Sequence, residues 1–520
     1  MGTRGVTGKV ADVAVNRGAP TPPIALPNEP AAGHRRLMVT APRVEVNDAL
    51  MQRLEKVCPT TSEIHDLDEH GRDWWPRSVG WVVESDGIAS RPAVVARPSS
   101  TDEVAAVARL CHEERVPLTP MGGRSGVCGN SLPVHGGVAL DLTSMHGIEA
   151  VDDESLTVDV LAGTFGDVFE DSLRADYKLT CGHWPQSMAL STVGGWLACR
   201  SAGQFSTRYG KIEDMVRGLE VVLADGRVIR TGYRAPREAV GPDLSQLFVG
   251  SEGTLAIITR ARLAVHPEPT SELRAAYAFA SFAAGLDACR QILRNGATPA
   301  VLRLYDERES ARSYATGRPG TAEARSVLLV LDEGHPGIVA ATMDVVNVCA
   351  RQVGSESLPI ELVAQWMHHR NDVSALVATV RSGVVVDTCE VAAPWSKLAG
   401  LYNAVTNAVR AVPGTISVSS HQSHAYADGA CLYFTLAGRC DDPDTWYRAA
   451  WDAATRTTIE HGGTPSHHHG IGLHRGPYLR AALGPAFEIL ESLKATLDPH
   501  GILNPAKLGL RSTFGPVTYP

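Results

Sequence analysis

The chain has 520 residues, with 48 Lys and Arg against 57 Asp and Glu and a formal charge of −9 at pH 7. Hydrophobic residues make up 44% and charged residues 20%, which excludes a disordered or collagen-like chain and allows several packed cores. The acidic balance excludes the basic field of a general nucleic-acid binder, so an anionic ligand needs a local cluster of Arg or His.

Residues 1–36 are rich in Gly, Pro and Ala, lack apolar periodicity and read as a mobile tail. Residues 37–90 carry Trp74, Trp75 and Trp81, large apolar side chains that must pack against something. A short strand is expected at 92–97. Ser100 and Glu103 then form a capping box ahead of Val104, Val107 and Cys111 at helical spacing. A strand at 116–120 runs into a Gly-rich turn, and further strands follow at 138–142 and 157–161. Residues 219–224 and 227–231 read as a hairpin joined by the two-residue turn Asp225-Gly226. After about 270 the pattern becomes strand, helix, strand, strand, helix: 276–279, 281–293, 300–305, 326–331 and 337–353. Two strands flank 424–429, and helices are expected at 446–460 and 486–497. This order predicts an α+β fold with an antiparallel sheet covered by helices on one face. The changes of pattern divide the chain at 1–36, 37–90, 91–270 and from 271 onward.

The ten Cys contain no C-x-x-C pair, so zinc ribbons, thioredoxin-type sites and ferredoxin clusters are not expected. They read as small buried hydrophobes in a reducing compartment. No apolar run reaches the length of a membrane span or a signal peptide. Val6 breaks the myristoylation pattern opened by Met1-Gly2, and Thr518-Tyr519-Pro520 is not a peroxisomal ending. A cytoplasmic protein is expected.

Chemistry starts at the turn Pro120-Met121-Gly122-Gly123-Arg124-Ser125-Gly126. Glycines let backbone N–H groups approach an anion closely. The turn has neither the G-x-G-x-x-G spacing of a dinucleotide fingerprint nor the Gly-Lys-Ser/Thr of a P-loop. Taken alone, such a cluster is a tight turn more often than a phosphate cradle. Three further segments join it: Ser191-Thr192-Val193-Gly194-Gly195, Tyr209-Gly210-Lys211-Ile212-Glu213-Asp214 and Gly250-Ser251-Glu252-Gly253-Thr254.

In this order, from about 91 to 504, the chain resembles the FAD-linked oxidase family that includes vanillyl-alcohol oxidase, D-lactate dehydrogenases and alkyl-dihydroxyacetone-phosphate synthase. The motifs Leu190-Ser191-Thr192-Val193-Gly194-Gly195-Trp196 and Arg208-Tyr209-Gly210-Lys211-Ile212-Glu213-Asp214-Met215-Val216 carry the family resemblance. Ser466-His467-His468-His469-Gly470-Ile471-Gly472 is similar to the synthase branch. The resemblance implies a two-part FAD-binding domain at 91–270, a cap (substrate) domain at 271–465 and a C-terminal segment, 466–520, that returns to the flavin. It implies FAD contacts at Pro120 to Gly126 and at Gln186-Ser187-Met188-Ala189-Leu190-Ser191-Thr192. Further contacts are implied at Cys199-Arg200-Ser201-Ala202 and at Glu252-Gly253-Thr254-Leu255-Ala256-Ile257-Ile258. No His or Cys stands in the Gly-rich turn where flavinylated relatives carry one, so non-covalent FAD is expected. Arg124 replaces the small residue common there.

At the reacting end the resemblance makes Arg370 and Arg303 substrate-binding and Tyr426, with His467, His468 and His469, catalytic. A dianionic phosphate favours the planar fork of Arg. A proton moved at the substrate carbon calls for a Tyr or His within hydrogen-bond reach, and His titrates near neutrality. Without the resemblance, each Arg reads as an ion pair and Tyr426 as a turn aromatic. Relatives that oxidise D-2-hydroxyacids carry Glu-His-Gly where this chain has His468-His469-Gly470, and two metal-binding His where it has His424 and Cys431. A His424–Cys431–His468 zinc site is the minor reading, and no metal is expected.

The expected function is therefore a transferase of the synthase type, exchanging the acyl group of acyl-dihydroxyacetone phosphate for a fatty alcohol. Oxidation of a hydroxyacid or other alcohol is the alternative, and a non-enzymatic flavin-binding scaffold the third reading. The implied partners are a small lipid or hydroxyacid substrate and, by analogy, a second copy of the chain. Peripheral membrane contact fits a lipid-handling enzyme, although no basic or amphipathic segment carries it.

Overall fold

The computed structural model describes residues 35–520 apart from 86, 233–234, 315, 317–323 and 374. All of the expected tail but its last two residues lies outside the described residues. Three sheets organise the rest. The first has the order Thr60–Thr61, Val94–Ala96, Val138–Asp141, Leu118–Met121, its last three strands parallel. The second is antiparallel, in the order Val228–Gly232, Val216–Val222, Ile257–Ala264, Thr157–Leu161, Ile148–Asp152. The third has seven antiparallel strands, running from Glu356–Leu358 at one edge through Val301–Tyr305 in the middle to Gly429–Gly438 and Val385–Pro394 at the other. The mixed α+β class is as expected.

Alternation along the large sheet separates two cores. In Ser326–Gly334, Leu328 and Val330 pack under the helices Phe282–Arg294, Pro336–Gln352, Trp395–Arg410 and Pro443–Glu460. Leu329 and Leu331 face the other way, in one core with Val160, Phe169 and Leu197 of the second-sheet region. The sheet is therefore covered by helices on one face and joined to the cavity-bearing half by the other.

Two local expectations change. Ser100 Oγ accepts from Glu103 N at 3.3 Å, but the Glu103 carboxylate accepts from Ser99 N at 2.7 Å, so the reciprocal half of the capping box falls one residue early. The hairpin closes through a longer turn: Gly226 N donates to Leu223 O at 3.0 Å, and Leu223 N donates to Arg227 O at 2.9 Å. Gly226 sits at φ +82°, the left-handed position that ends such a turn, so Asp225-Gly226 is not the two-residue link.

Trp75 and Trp81 are fully buried, and their indole N–H groups donate to Tyr447 Oη at 2.7 Å and Asp444 Oδ1 at 3.0 Å. The segment 37–90 is thereby tied to the helix Pro443–Glu460. At the other end, Leu118 N donates to Ile502 O at 2.8 Å and Asn504 N to Leu118 O at 2.9 Å. The late chain thus lies beside the strand that feeds the Gly-rich turn. All ten Cys are free, eight of them buried. Among the described residues no helix is long and apolar enough to cross a membrane.

Candidate active site

A cavity of about 1180 Å³ runs from the Gly-rich turn to the large sheet. Its first half has every residue from Pro120 to Gly126 and from Gln186 to Thr192 in the wall, with Cys199, Ser201, Ala202, Glu252, Gly253, Ala256, Ile257 and Ile258. The turn is shaped by its glycines. A Cβ at Gly123 would stand 1.9 Å from Leu190 O, and one at Gly122 would stand 2.2 Å from Thr192 Oγ1, so only Gly lets the two segments approach. Arg124 adopts φ +54° between them and lines the cavity.

Three expected contacts lie elsewhere. Arg200 caps the helix Val193–Cys199 at φ +54° and pairs with Glu213 at 3.2 Å. Thr254 and Leu255 are buried outside the cavity wall, Thr254 Oγ1 donating to Ser251 O at 2.7 Å. The rest make a backbone-rich cradle that carries the Arg124 guanidinium, its Glu252 carboxyl being taken up by the N–H groups of Ile471 and Gly472 at 2.6 and 2.8 Å, and it fits a bulky pyrophosphate-containing cofactor such as FAD.

The second half is lined by side chains of the large sheet and of the segment after it. Arg370, which follows the helix Glu361–His369, is 5% exposed and lies over the Trp184 and Phe205 rings at 5.4 and 5.3 Å. Its Nη1 donates to Gln204 Oε1 at 2.9 Å, and its Nε has no partner. No carboxylate is within ion-pair distance of it among the described residues, and burial lowers its pKa to about 10, leaving it charged at neutral pH. Arg303, by contrast, is held in a frame. Its Nε donates to Tyr305 Oη at 2.7 Å, its Nη2 is 2.6 Å from His421 Nε2, and His421 Nδ1 is 3.2 Å from Glu309.

Tyr426, His467, His468 and His424 are brought together, and Ser206 joins them. Ser206 Oγ is 2.8 Å from His424 Nδ1 and 3.2 Å from Tyr426 Oη; Tyr426 Oη is 3.1 Å from His467 Nε2; His467 Nδ1 is 3.0 Å from His468 Nδ1. His424, His468 and His469 are in the cavity wall, whereas Tyr426 and His467 stand outside it. The Lys211 ammonium lies 4.6 Å from the Tyr426 ring centre. Burial drives His467 down to about 4 and His424 and His468 well below their ordinary values, while it raises Tyr426. At neutral pH the chain is therefore a set of neutral rings and hydroxyls that can pass a proton. The expectation of titration near neutrality is corrected for His467 and His468 by their desolvation.

Nitrogens of His424, His467 and His468 come within 4.8 Å of one another. The minor zinc reading thus changes its ligands, with His467 in the place of Cys431, which is fully buried in the strand Gly429–Gly438. Ser206, Lys211 and Glu390 had no assigned role at the sequence level. Lys211 lies within the motif that opens Arg208-Tyr209-Gly210, and Ser206 stands two residues before it; that nearness is the signal that could have found them. Glu390 carries no local signal.

Comparison with known proteins matches residues 92–232 to the FAD binding domain and residues 268–508 to the FAD linked oxidases, C-terminal domain. An uncharacterized FAD-linked oxidoreductase, YgcU, from Escherichia coli O157:H7 is 33% identical over 431 residues, covering 79% of this chain and 88% of its own. Glycolate oxidase subunit GlcD from Bacillus subtilis (strain 168) is 31% identical over 430 residues, covering 81% and 89%. A solved structure of an alkyldihydroxyacetonephosphate synthase superposes with a TM-score of 0.75 at 24% identity, over 94% of this chain and 91% of that one.

Proposed function

Because the chain belongs to the FAD-linked oxidase family, we propose that it is a flavoenzyme of the alkyl-dihydroxyacetone-phosphate synthase type. In this reading it exchanges the acyl group of acyl-dihydroxyacetone phosphate for a fatty alcohol. The observation that carries it is Arg370, a buried guanidinium without a carboxylate partner among the described residues, in the same cavity as the neutral His424 and His468. Bound FAD supplies chemistry at the substrate carbon that side chains cannot provide.

Arg370 anchors the phosphate by charge-assisted hydrogen bonds, its free Nε giving one donor in the plane of the fork. Arg303, fixed by Tyr305 and His421, presents the wall beside it. His468 and His424 are the groups in the wall that exchange a proton with substrate, and Tyr426, Ser206 and His467 connect them behind it. Trp366, Val373 and Leu376, also in the wall, offer apolar surface to an acyl chain.

The second reading is oxidation of a 2-hydroxyacid, with Arg370 on the carboxylate. The close approach of His424, His467 and His468 favours it, since three imidazoles suit a divalent transition metal. A stopped-flow flavin spectrum with acyl-dihydroxyacetone phosphate and labelled fatty alcohol, run beside a hydroxyacid panel, separates the two. Labelled ether product without net flavin bleaching is expected. Bleaching by a hydroxyacid, with no ether formed, overturns the transferase.

A further inference from the structure

The Glu390 carboxylate, on the strand Val385–Pro394, has no exposure, and it is absent from the cavity wall. It points at the backbone of the His triplet. Its Oε1 accepts from Ser466 Oγ at 2.8 Å and from the N–H groups of His467, His468 and His469 at 3.2, 3.2 and 2.9 Å. Successive N–H groups converging on one point form a nest, an arrangement suited to an anion; here the anion is the protein's own. Arg475, equally buried, closes the far side. Its Nη1 donates to Glu390 Oε1 at 3.0 Å and to Pro465 O at 2.9 Å, and its Nη2 donates to Oε2. Its guanidinium lies 4.8 Å from the Trp451 ring centre.

A buried ion pair gives little net stability over well-packed apolar residues, so stability alone is a weak reason for this one. What an apolar residue cannot do is draw three consecutive peptide N–H groups onto one point. That backbone shape turns successive rings to different neighbours. His467 stacks with Tyr426 at 5.7 Å, His468 meets His424 at 4.8 Å, and His469 sets its edge against Tyr433 at 5.5 Å.

We propose that Glu390 is a positioning residue, the internal anion that holds the His triplet in the arrangement through which His467 and His468 reach Tyr426 and His424. The proposal rests on the reading that these rings carry proton transfer. A carboxylate thus remains at this centre, supplied from the large sheet beneath the rings and not from the loop that bears them. No bond is made or broken by Glu390 itself.

The test uses the full chain with bound FAD and histidine labelled with ¹⁵N. Glu390→Gln keeps an oxygen for the N–H groups but removes the charge opposite Arg475; Glu390→Asp keeps the charge and withdraws it by one methylene. In Glu390→Gln the His467 and His468 ring nitrogen signals are expected to move, with flavin content unchanged. In the acyl-exchange assay, kcat per bound flavin should fall by about tenfold or more with little change in KM. Glu390→Asp should restore part of the loss. Unmoved ring signals, or activity lost only in proportion to flavin, would overturn the proposal. If Glu390→Gln does not fold, Ser466→Ala, which removes one donor to Oε1, must give the same ring shifts in smaller measure, and their absence counts equally against it. Moved ring signals in a protein that turns over no acyl substrate would uphold the positioning role and sink the transferase.

Discussion

At the scale of single residues, the two arginines that look alike in the sequence differ most in the fold. Arg303 spends its guanidinium on Tyr305 and His421, and Arg370 keeps an unpaired Nε in the cavity. Replacing Arg370 by Met should raise KM for the phosphate substrate by about 100-fold, the value of a lost charged hydrogen-bond pair, and leave thermal stability equal or higher. Steady-state kinetics beside a melting curve check both. Tyr426→Phe removes the hydroxyl between Ser206 and His467. It should lower kcat by about 100-fold or more with KM and flavin content unchanged, and an unaltered kcat would show that protons take another route. Tyr426 and the His triplet were legible because the resemblance names them. Ser206 was not, because a Ser opening the four-residue helix Ser206–Tyr209 carries no pattern until its partners, more than 200 positions away in sequence, are folded against it.

At the scale of elements, the Gly-rich turn shows why spacing alone was ambiguous. Gly123 does not need an unusual φ; it needs the absence of a side chain, because Leu190 O occupies the space. Gly123→Ala should push the two segments apart and weaken FAD binding by about 100-fold or more, with the fold retained by circular dichroism. Flavin fluorescence during dialysis measures this, and full retention of flavin would show that the turn yields elsewhere. A strand that is an unbroken apolar run, such as Val327 to Leu331 within Ser326–Gly334, was readable from its length and composition. The hairpin link was misjudged because Asp225-Gly226 suits a short turn, and its actual form depends on which strand residues pair, Val222 with Val228. Arg200, Thr254 and Leu255 were included because motifs are read as unbroken runs, whereas in the folded chain part of a run turns away from the cavity wall.

At the scale of the whole molecule, the joint between the early segment and the helix Pro443–Glu460 contains His474, buried among Trp75, Tyr447 and Trp451 with no partner on either ring nitrogen. Burial and the neighbouring Arg475 lower its pKa to about 3, against ~6.5 in an unfolded chain. The unfolded state takes up a proton the folded state refuses. Stability from the neutral ring is therefore complete above about pH 6.5 and is lost as pH falls towards 3. Asp387 and Asp73, raised by burial to about 6 and about 7, act in the opposite sense, so the test is a difference. The melting temperature of His474→Phe minus that of the natural chain should grow steadily as pH is lowered from 7 to about 4.5. A flat difference would show that the ring finds water or a partner when protonated.

The late chain is stitched across the early one: Asn504 Nδ2 donates to the carbonyls of Asn130 and Glu252 at 2.8 and 2.6 Å, and Lys507 Nζ donates to that of Leu132 at 2.9 Å. On the ribosome, then, the flavin cradle and the triplet's neighbours emerge long before the pieces that lock them. A nascent polypeptide stopped short of this stitch would hold a half-built vessel.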